Sequence, residues 1–254
     1  MGWLNKIRVS SIFEALSGEE SKAAFTFKPA TPYPAYSCDK KVEKNLQEWG
    51  RISEMGLCLV HAVGEHALPD SKLFQGPAQN ILSGWDVIST SLIHRRRLWA
   101  QAQIRNPAPN IARLPKKAPR MYANVALILQ VPPENILGTF PEDVFFPTHA
   151  SAENYEFANR ILGDRSAAHP LRGGAYTKIE SPRKIMKKTG MGLGRYNEIL
   201  IVTRPNVRVH FSETKKVEVK GIIYTRGRFG FSPEDVEILQ RLCELNPDLP
   251  VEEA

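Results

Sequence analysis

The sequence predicts an α+β protein, because helical periodicity dominates its first part and strand-like apolar runs dominate the rest. Apolar residues recur near helical spacing through residues 1–56, whereas residues 57–229 contain five short apolar runs of strand length. The two patterns do not alternate regularly, which disfavours a Rossmann or barrel architecture. We therefore expect an N-terminal helical cap over 1–56, a core over 57–229, and a C-terminal amphipathic helix with an acidic tail over 230–254.

Each element follows from a local pattern. Strands are predicted over residues 57–63, 86–91, 121–131, 196–203 and 217–224, with a short strand over 207–209. Helices are predicted over residues 78–83, 93–104, 152–162, 181–187 and 232–245. The last helix has the clearest start, because Ser232 is a favourable N-cap and Pro233 suits the first turn. Three prolines in the stretch 28–34 separate two helical patterns of the cap.

Composition limits the class of protein. The chain has 254 residues, of which 42% are hydrophobic and 24% charged, so it is expected to fold. No apolar run approaches the ~18 residues that a membrane-spanning helix needs. Cys38, Cys58 and Cys243 are widely spaced and odd in number, which excludes a disulfide framework and a cysteine-based zinc site. We therefore expect a protein of a reducing compartment, the cytoplasm.

The charge is basic and uneven. The net charge is +7, with eight Lys/Arg and no acid over residues 87–133, and nine Lys/Arg against two acids over 160–195. Residues 232–254 reverse the sign, with seven acids and one arginine. Such a body attracts polyanions, namely nucleic acid, a phosphorylated cofactor or an acidic protein. The same charges are also compatible with an ordinary solvated surface.

Five residues on three of the predicted strands are candidates for chemistry. His61 lies inside an apolar strand, either as a hydrogen-bonded core residue or as a functional one. Ser89, Thr90 and Ser91 end the second strand, and alternation places both serines on one face and the threonine on the other. Glu198 interrupts an apolar strand, so it lies on a solvent face or in a cleft, where a lone carboxylate is costly unless it has a function.

Other motifs are weaker. The glycine-rich stretch 190–194 precedes a strand and lacks a following Lys-Ser/Thr pair, which indicates a connector and not a phosphate loop. The stretch 94–97, His-Arg-Arg-Arg, is either an anion clamp at the start of a helix or a solvated turn. The six histidines show no metal-ligand spacing, and no Gly-x-Ser-x-Gly motif occurs, so neither a metal site nor a serine hydrolase is predicted.

Taken in chain order, these residues resemble the ADP-ribosyltransferase toxin and effector family. The resemblance covers roughly residues 57–225, and its specificity comes from order and spacing. The matching segments are 59–62, 80–84, 88–91, 126–136 and 196–199. It implies an ADP-ribosyltransferase-like split β-sandwich core and NAD as a substrate. The pattern is a hybrid, because His at the first position is more often paired with Tyr than with Ser-Thr-Ser.

The resemblance also assigns roles to individual residues. It implies that Glu198 is the catalytic carboxylate and that His61 holds NAD, while Ser89, Thr90 and Ser91 fix the nicotinamide ribose. Tyr196 and Asn197 fall where the acceptor is positioned, and a tyrosine two residues before the glutamate makes arginine an unfavourable acceptor. The pyrophosphate needs cationic donors, which Arg95, Arg96, Arg97 or Arg195 could supply.

The favoured hypothesis is an NAD-dependent mono-ADP-ribosyltransferase that modifies a macromolecule, with nucleic acid (RNA or DNA) favoured over protein. Two alternatives stay open: a non-catalytic RNA- or DNA-binding module, and a metal-independent nuclease with His61 or His94 as general base. A toxin or effector of this kind would act in the cytoplasm. If it is a secreted one, this is the cytoplasm of the target cell into which it is delivered. It would also need control by an antitoxin or chaperone, for which the N-terminal helices are a candidate surface.

Overall fold

A computed structural model of the protein describes residues 40–64, 72–95, 123–142, 177–189, 197–226 and 231–253. All of these residues belong to one compact unit, Ser37–Ala254. The first 39 residues of the predicted cap, its proline-containing stretch and the predicted helix over 152–162 lie outside the described residues.

The described residues form an α+β fold, which confirms the predicted class. The helices are α1 (Lys40–Trp49), α2 (Ala78–Ser83), α3 (Pro182–Lys188) and α4 (Pro233–Leu245). The longer strands are β1 (Leu57–Val63), β2 (Val87–His94), β3 (Val125–Gln130), β4 (Ile136–Phe140), β5 (Glu198–Val202) and β8 (Glu218–Tyr224). The short strands are β6 (Arg208–Val209), β7 (Ser212–Glu213) and β9 (Val251–Glu253). Among the described helices, none is long and apolar enough to cross a membrane.

Seven strands form one sheet in the order β4-β5-β2-β1-β3-β8-β9, and β6 pairs with β7 in a separate hairpin. Every pairing in the large sheet is antiparallel except that of β8 with β9, which is parallel. Strands that follow each other in the sequence are often not neighbours in the sheet. In particular, the early strands β2, β1 and β3 lie in the centre, between the later strands β5 and β8.

Both faces of the sheet are buried around its centre. Leu59, Leu127 and Ile199 lie on the face that α1 to α4 cover, in one apolar cluster with Trp49 and Leu242. The opposite face carries a smaller cluster: Val60, Ile93, Ala126, Ile128 and Ile223. Since each strand contributes to both faces, the sequence shows nearly continuous apolar runs instead of clean alternation.

Strand β2 connects two parts of the sheet. Its first half, from Val87 to Thr90, pairs with β5, and its second half, from Ser91 to His94, pairs with β1. The neighbours of β2 therefore change at the Thr90–Ser91 bond. This places the predicted Ser-Thr-Ser segment where the two wings of the sheet part.

Three findings bear on the predicted elements. The helix over 93–104 is wrong at its start, because Ile93 and His94 pair with β1 and so belong to β2. Ser232 caps α4 as predicted, and its side chain and that of Asp235 form a reciprocal capping box. The strands β4, β7 and β9 are additional to the prediction, since each is short and β9 lies within the acidic tail.

Candidate functional site

The hydroxyl segment of β2 is tied to β5 by its side chains. Thr90 Oγ1 donates a hydrogen bond to the carbonyl oxygen of Ile199 at 2.7 Å, and Ser91 Oγ donates to that of Asn197 at 3.1 Å. Thr90 and Ser91 are buried, and Ser89 is partly exposed. As alternation predicts, Thr90 shares its face with core residues of the helix-covered side, and the two serines share the other face.

Asn197 replaces a backbone group in the ladder between β2 and β5. Its Oδ1 accepts a hydrogen bond from the Leu92 N–H at 2.6 Å, and its Nδ2 donates to the Leu92 carbonyl oxygen at 2.8 Å and to Thr189 Oγ1 at 3.3 Å. The residue is fully buried. Asn197, which was predicted to position the acceptor, therefore fixes the start of β5. Tyr196, which was predicted to share that role, lies outside the described residues.

Glu198 is the first residue of β5 and is buried, with 4% of its surface exposed. It lies opposite Phe140 of β4, and continuing the β2–β5 register by one pair places it opposite Ser91. Residues opposite each other in an antiparallel pair share a face of the sheet. Glu198 therefore lies on the same face as Ser89 and Ser91, in the protected setting that a functional carboxylate requires.

His61 lies just beyond the last pair of β1 with β2 and bonds to β2 through its ring. Its Nδ1 is 2.8 Å from the carbonyl oxygen of Ser89, and its ring meets that of Trp85 edge to face, with centroids 5.7 Å apart. Because a carbonyl oxygen only accepts hydrogen bonds, Nδ1 carries the proton. Burial lowers the pKa of His61, with the Ser89 bond partly opposing, so the ring is neutral at pH 7 and its Nε2 is an acceptor.

His61 and Glu198 are not direct neighbours. Strand alternation puts His61 on the helix-covered face with Leu59 and Val63, whereas Glu198 lies on the other face. Strand β2 lies between β1, which carries His61, and β5, which carries Glu198, and it pairs with both strands. Ser89 is the link, since its carbonyl oxygen holds the imidazole and its side chain shares a face with the carboxylate.

Arg95 lies away from this group. It directly follows β2, and its Nε donates to Glu252 Oε2 at 2.8 Å while its Nη2 pairs with Oε1 of the same carboxylate. This ion pair raises the pKa of Arg95 and lowers that of Glu252. Arg95 is six positions after Ser89 along extended chain, a span of about 20 Å. The predicted helix start is wrong here, because His94 ends a strand. Arg95 is paired with Glu252 of β9, and Arg96 and Arg97 lie outside the described residues.

One charged cluster of the structure is additional to the residues predicted from the sequence. Glu180 is buried, and the ammonium groups of Lys178, Lys184 and Lys188 surround its carboxylate. The sequence feature that could have indicated this cluster is the scarcity of acids: Glu180 is one of only two acidic residues in the basic stretch 160–195. Within the described residues, no group of three or more His, Cys, Asp or Glu side chains is arranged to hold a metal ion.

No family model, curated protein or solved structure matches this chain. The site is consequently defined by its own geometry. It consists of a buried carboxylate, two serines on the same face of the adjacent strand, and a neutral imidazole bonded to that strand. The carboxylate and the serines can hydrogen-bond a sugar and stabilise positive charge on it, whereas the imidazole lies on the opposite face of the sheet.

Proposed function

We propose that this protein is an NAD-dependent mono-ADP-ribosyltransferase with an ADP-ribosyltransferase-like split β-sandwich core. It would transfer ADP-ribose from NAD to a macromolecule and release nicotinamide. The observation that carries the proposal is the burial of Glu198 on the same face as Ser89 and Ser91. The change of partners along β2 supports it, because a ligand can enter where two wings of a sheet part.

The chemistry requires a fixed negative charge beside a sugar. When the bond between the ribose C1 atom and the nicotinamide nitrogen breaks, its electron pair leaves with nicotinamide and the ribose becomes cationic, as in glycoside hydrolysis. A carboxylate held in a protected site stabilises that charge without reorganising. The acceptor then forms a bond to C1 and loses a proton. Glu198 would supply the carboxylate, and the serine hydroxyls would orient the ribose.

His61 suits a binding role better than a proton-transfer role. Its Nδ1–H is already used by Ser89, so the one position that it offers a ligand is the Nε2 lone pair. A lone pair accepts a hydrogen bond from a sugar hydroxyl. In this proposal His61 contacts NAD from the face opposite Glu198, so the hydroxyl that it accepts from belongs to another part of the dinucleotide than the ribose beside that carboxylate.

The acceptor is proposed from charge. The net charge of +7 favours an anionic macromolecule, and nucleic acid is therefore favoured over protein. Control by an antitoxin or chaperone and a cytoplasmic site of action stay predictions of the same hypothesis.

The test is nicotinamide release from labelled NAD, measured with RNA, DNA and a cell extract as acceptors. We expect Glu198→Gln to lower the rate by about 10² to 10³, the usual loss for one electrostatic stabiliser. Glu213→Gln is the matched control, because Glu213 is an exposed acid on β7. Equal urea midpoints for both variants would show that folding is intact. If the wild type releases no nicotinamide with any acceptor, the proposal is wrong.

The same incubations separate the alternatives. A metal-independent nuclease shortens RNA or DNA in EDTA without NAD, and a binding module leaves both NAD and nucleic acid intact. Label that nuclease removes but protease does not would identify nucleic acid as the acceptor.

A further inference from the structure

Helix α3 and the residues before it present a row of positive charges. The basic face comprises Lys178, Arg183, Lys184, Lys187 and Lys188, each of which exposes its side chain at least in part. The only acid among residues 177–189 is Glu180, which is buried. The basic face therefore keeps a large excess of positive charge at the surface.

Glu180 organises this face from beneath. Its carboxylate lies 2.8 Å from Lys184 Nζ, 3.3 Å from Lys188 Nζ and 3.6 Å from Lys178 Nζ. Burial alone would raise the pKa of Glu180, but the hydrogen bonds from Lys184 and Lys188 lower it on balance. One carboxylate cannot neutralise three ammonium groups. It restrains their long side chains instead, so less side-chain entropy is lost when an anion binds.

The backbone under the basic face is firmly held. Trp49 Nε1 donates to the Glu180 carbonyl oxygen at 2.8 Å, and the Glu180 N–H donates to Thr139 Oγ1 at 2.7 Å. Ile185 anchors the helix in the core. At its other end, Thr189 accepts a hydrogen bond from Asn197, the residue before the proposed catalytic carboxylate. The charges thus stand on a rigid support that is tied to β4 and to the start of β5.

We propose that the basic face binds the phosphate backbone of a nucleic-acid duplex. The seven-residue helix is about 10 Å long, which spans about three phosphate steps and therefore about four phosphates on one strand. Residues 177–189 contain no aromatic side chain on which an unpaired base could stack, so a duplex is favoured over a single strand. That this duplex is also the acceptor of ADP-ribose rests on the proposed function, whereas the binding does not.

An acidic protein fits the basic face less well. Protein interfaces depend on buried aromatic or aliphatic anchors at their centre. On this segment Ile179 and Ile185 are buried in the core, and Met186 packs against it. The exposed surface therefore offers charge alone, which is the sequence-independent term that dominates binding to phosphate backbones.

The experiment measures the affinity of the full chain for 20-base-pair DNA and RNA duplexes between about 50 and 200 mM salt. With about four phosphates contacted, the affinity should fall about 150-fold over this range, since each contact contributes about 0.9 to the logarithmic slope. Arg183→Gln with Lys187→Gln leaves the ion pairs of Glu180 intact and should reduce that fall to about 12-fold. Arg208→Gln with Lys216→Gln removes the same charge from another exposed surface and is the matched control.

Unchanged salt dependence in the control, with a reduced one in the α3 variant, supports the proposal. Equal reductions in both variants would show that net charge alone is responsible and would overturn it. Tighter binding to polyglutamate than to either duplex would indicate an acidic protein and also overturn it. Glu198→Gln should bind duplexes like the wild type, so loss of nicotinamide release with intact binding separates a failure of the catalytic proposal from a failure of this one.

Discussion

Replacing Asn197 by alanine tests the mutual support of β2 and β5. The asparagine side chain makes both hydrogen bonds that a strand backbone would otherwise make with Leu92. In the alanine variant, the N–H and the carbonyl oxygen of Leu92 are left without these partners in a fully buried part of the sheet. An unsatisfied buried polar group costs about 1 to 3 kcal/mol. The two groups together should lower the free energy of unfolding by about 3 kcal/mol.

Asn45→Ala is the matched control. Asn45 makes a single hydrogen bond, from Nδ2 to the Ile179 carbonyl oxygen at 3.1 Å, and is only partly buried. Its loss should cost about 1 kcal/mol, the usual contribution of one hydrogen bond. In urea unfolding followed by tryptophan fluorescence, the Asn197 variant should unfold about 1 M earlier than the wild type at an unchanged slope. A shift no larger than that of the control would refute the reasoning.

Two further predictions concern buried titratable groups. Because burial lowers the pKa of His61 below the ordinary 6.5, the folded state resists protonation, so the free energy of unfolding should fall as the pH drops below about 6.5. Urea unfolding between pH 7.5 and 5.5 should show a smaller fall in His61→Gln, and an equal fall in both proteins would contradict the assignment. Burial raises the pKa of the Cys58 thiol to about 12, with Arg95 partly opposing, so about one thiol in a thousand is ionised at pH 9. Iodoacetamide labelling with peptide mapping should therefore modify Cys243 well before Cys58 in the native protein, and comparable rates would refute this.

The central strands could be predicted because their apolar runs are bounded by turn residues. The run that gives β1 agrees with the structure at both ends, and the N-cap of α4 was visible in the Ser232-Pro233 pair. The start of the helix over 93–104 was mispredicted because periodicity does not show that Ile93 and His94 have strand partners in β1. Pairing between residues 35 and 37 positions apart in the sequence overrides local propensity.

The surroundings of two charged residues outside the candidate site could not be predicted, because they depend on contacts between distant residues. Arg95 appears in the sequence as one of three consecutive arginines, and nothing local indicates that Glu252, far along the chain, engages it. Glu180 similarly shows no sign of burial, since Trp49 and Thr139 fix its backbone from remote elements. By contrast, Glu198 was recognisable, because a carboxylate inside an apolar strand is unusual wherever its partners lie.

The position of the candidate site follows from how β2 satisfies its backbone. Beyond the last pair of β1 with β2, the Ser89 carbonyl oxygen is bonded by the ring of His61 instead of by a backbone N–H. On the other side of β2, the N–H and carbonyl oxygen of Leu92 are bonded by the side chain of Asn197. Buried backbone groups must have hydrogen-bond partners. The pairing of β1 or β5 with β2 can therefore end only where side chains take over the hydrogen bonds to the backbone of β2. The side-chain hydrogen bonds that replace backbone pairing, and so let the sheet divide, therefore bring His61 to one side of Ser89 and Glu198 to the start of β5. For this reason His61 and Asn197, which allow the sheet to divide, lie next to the residues of the candidate site.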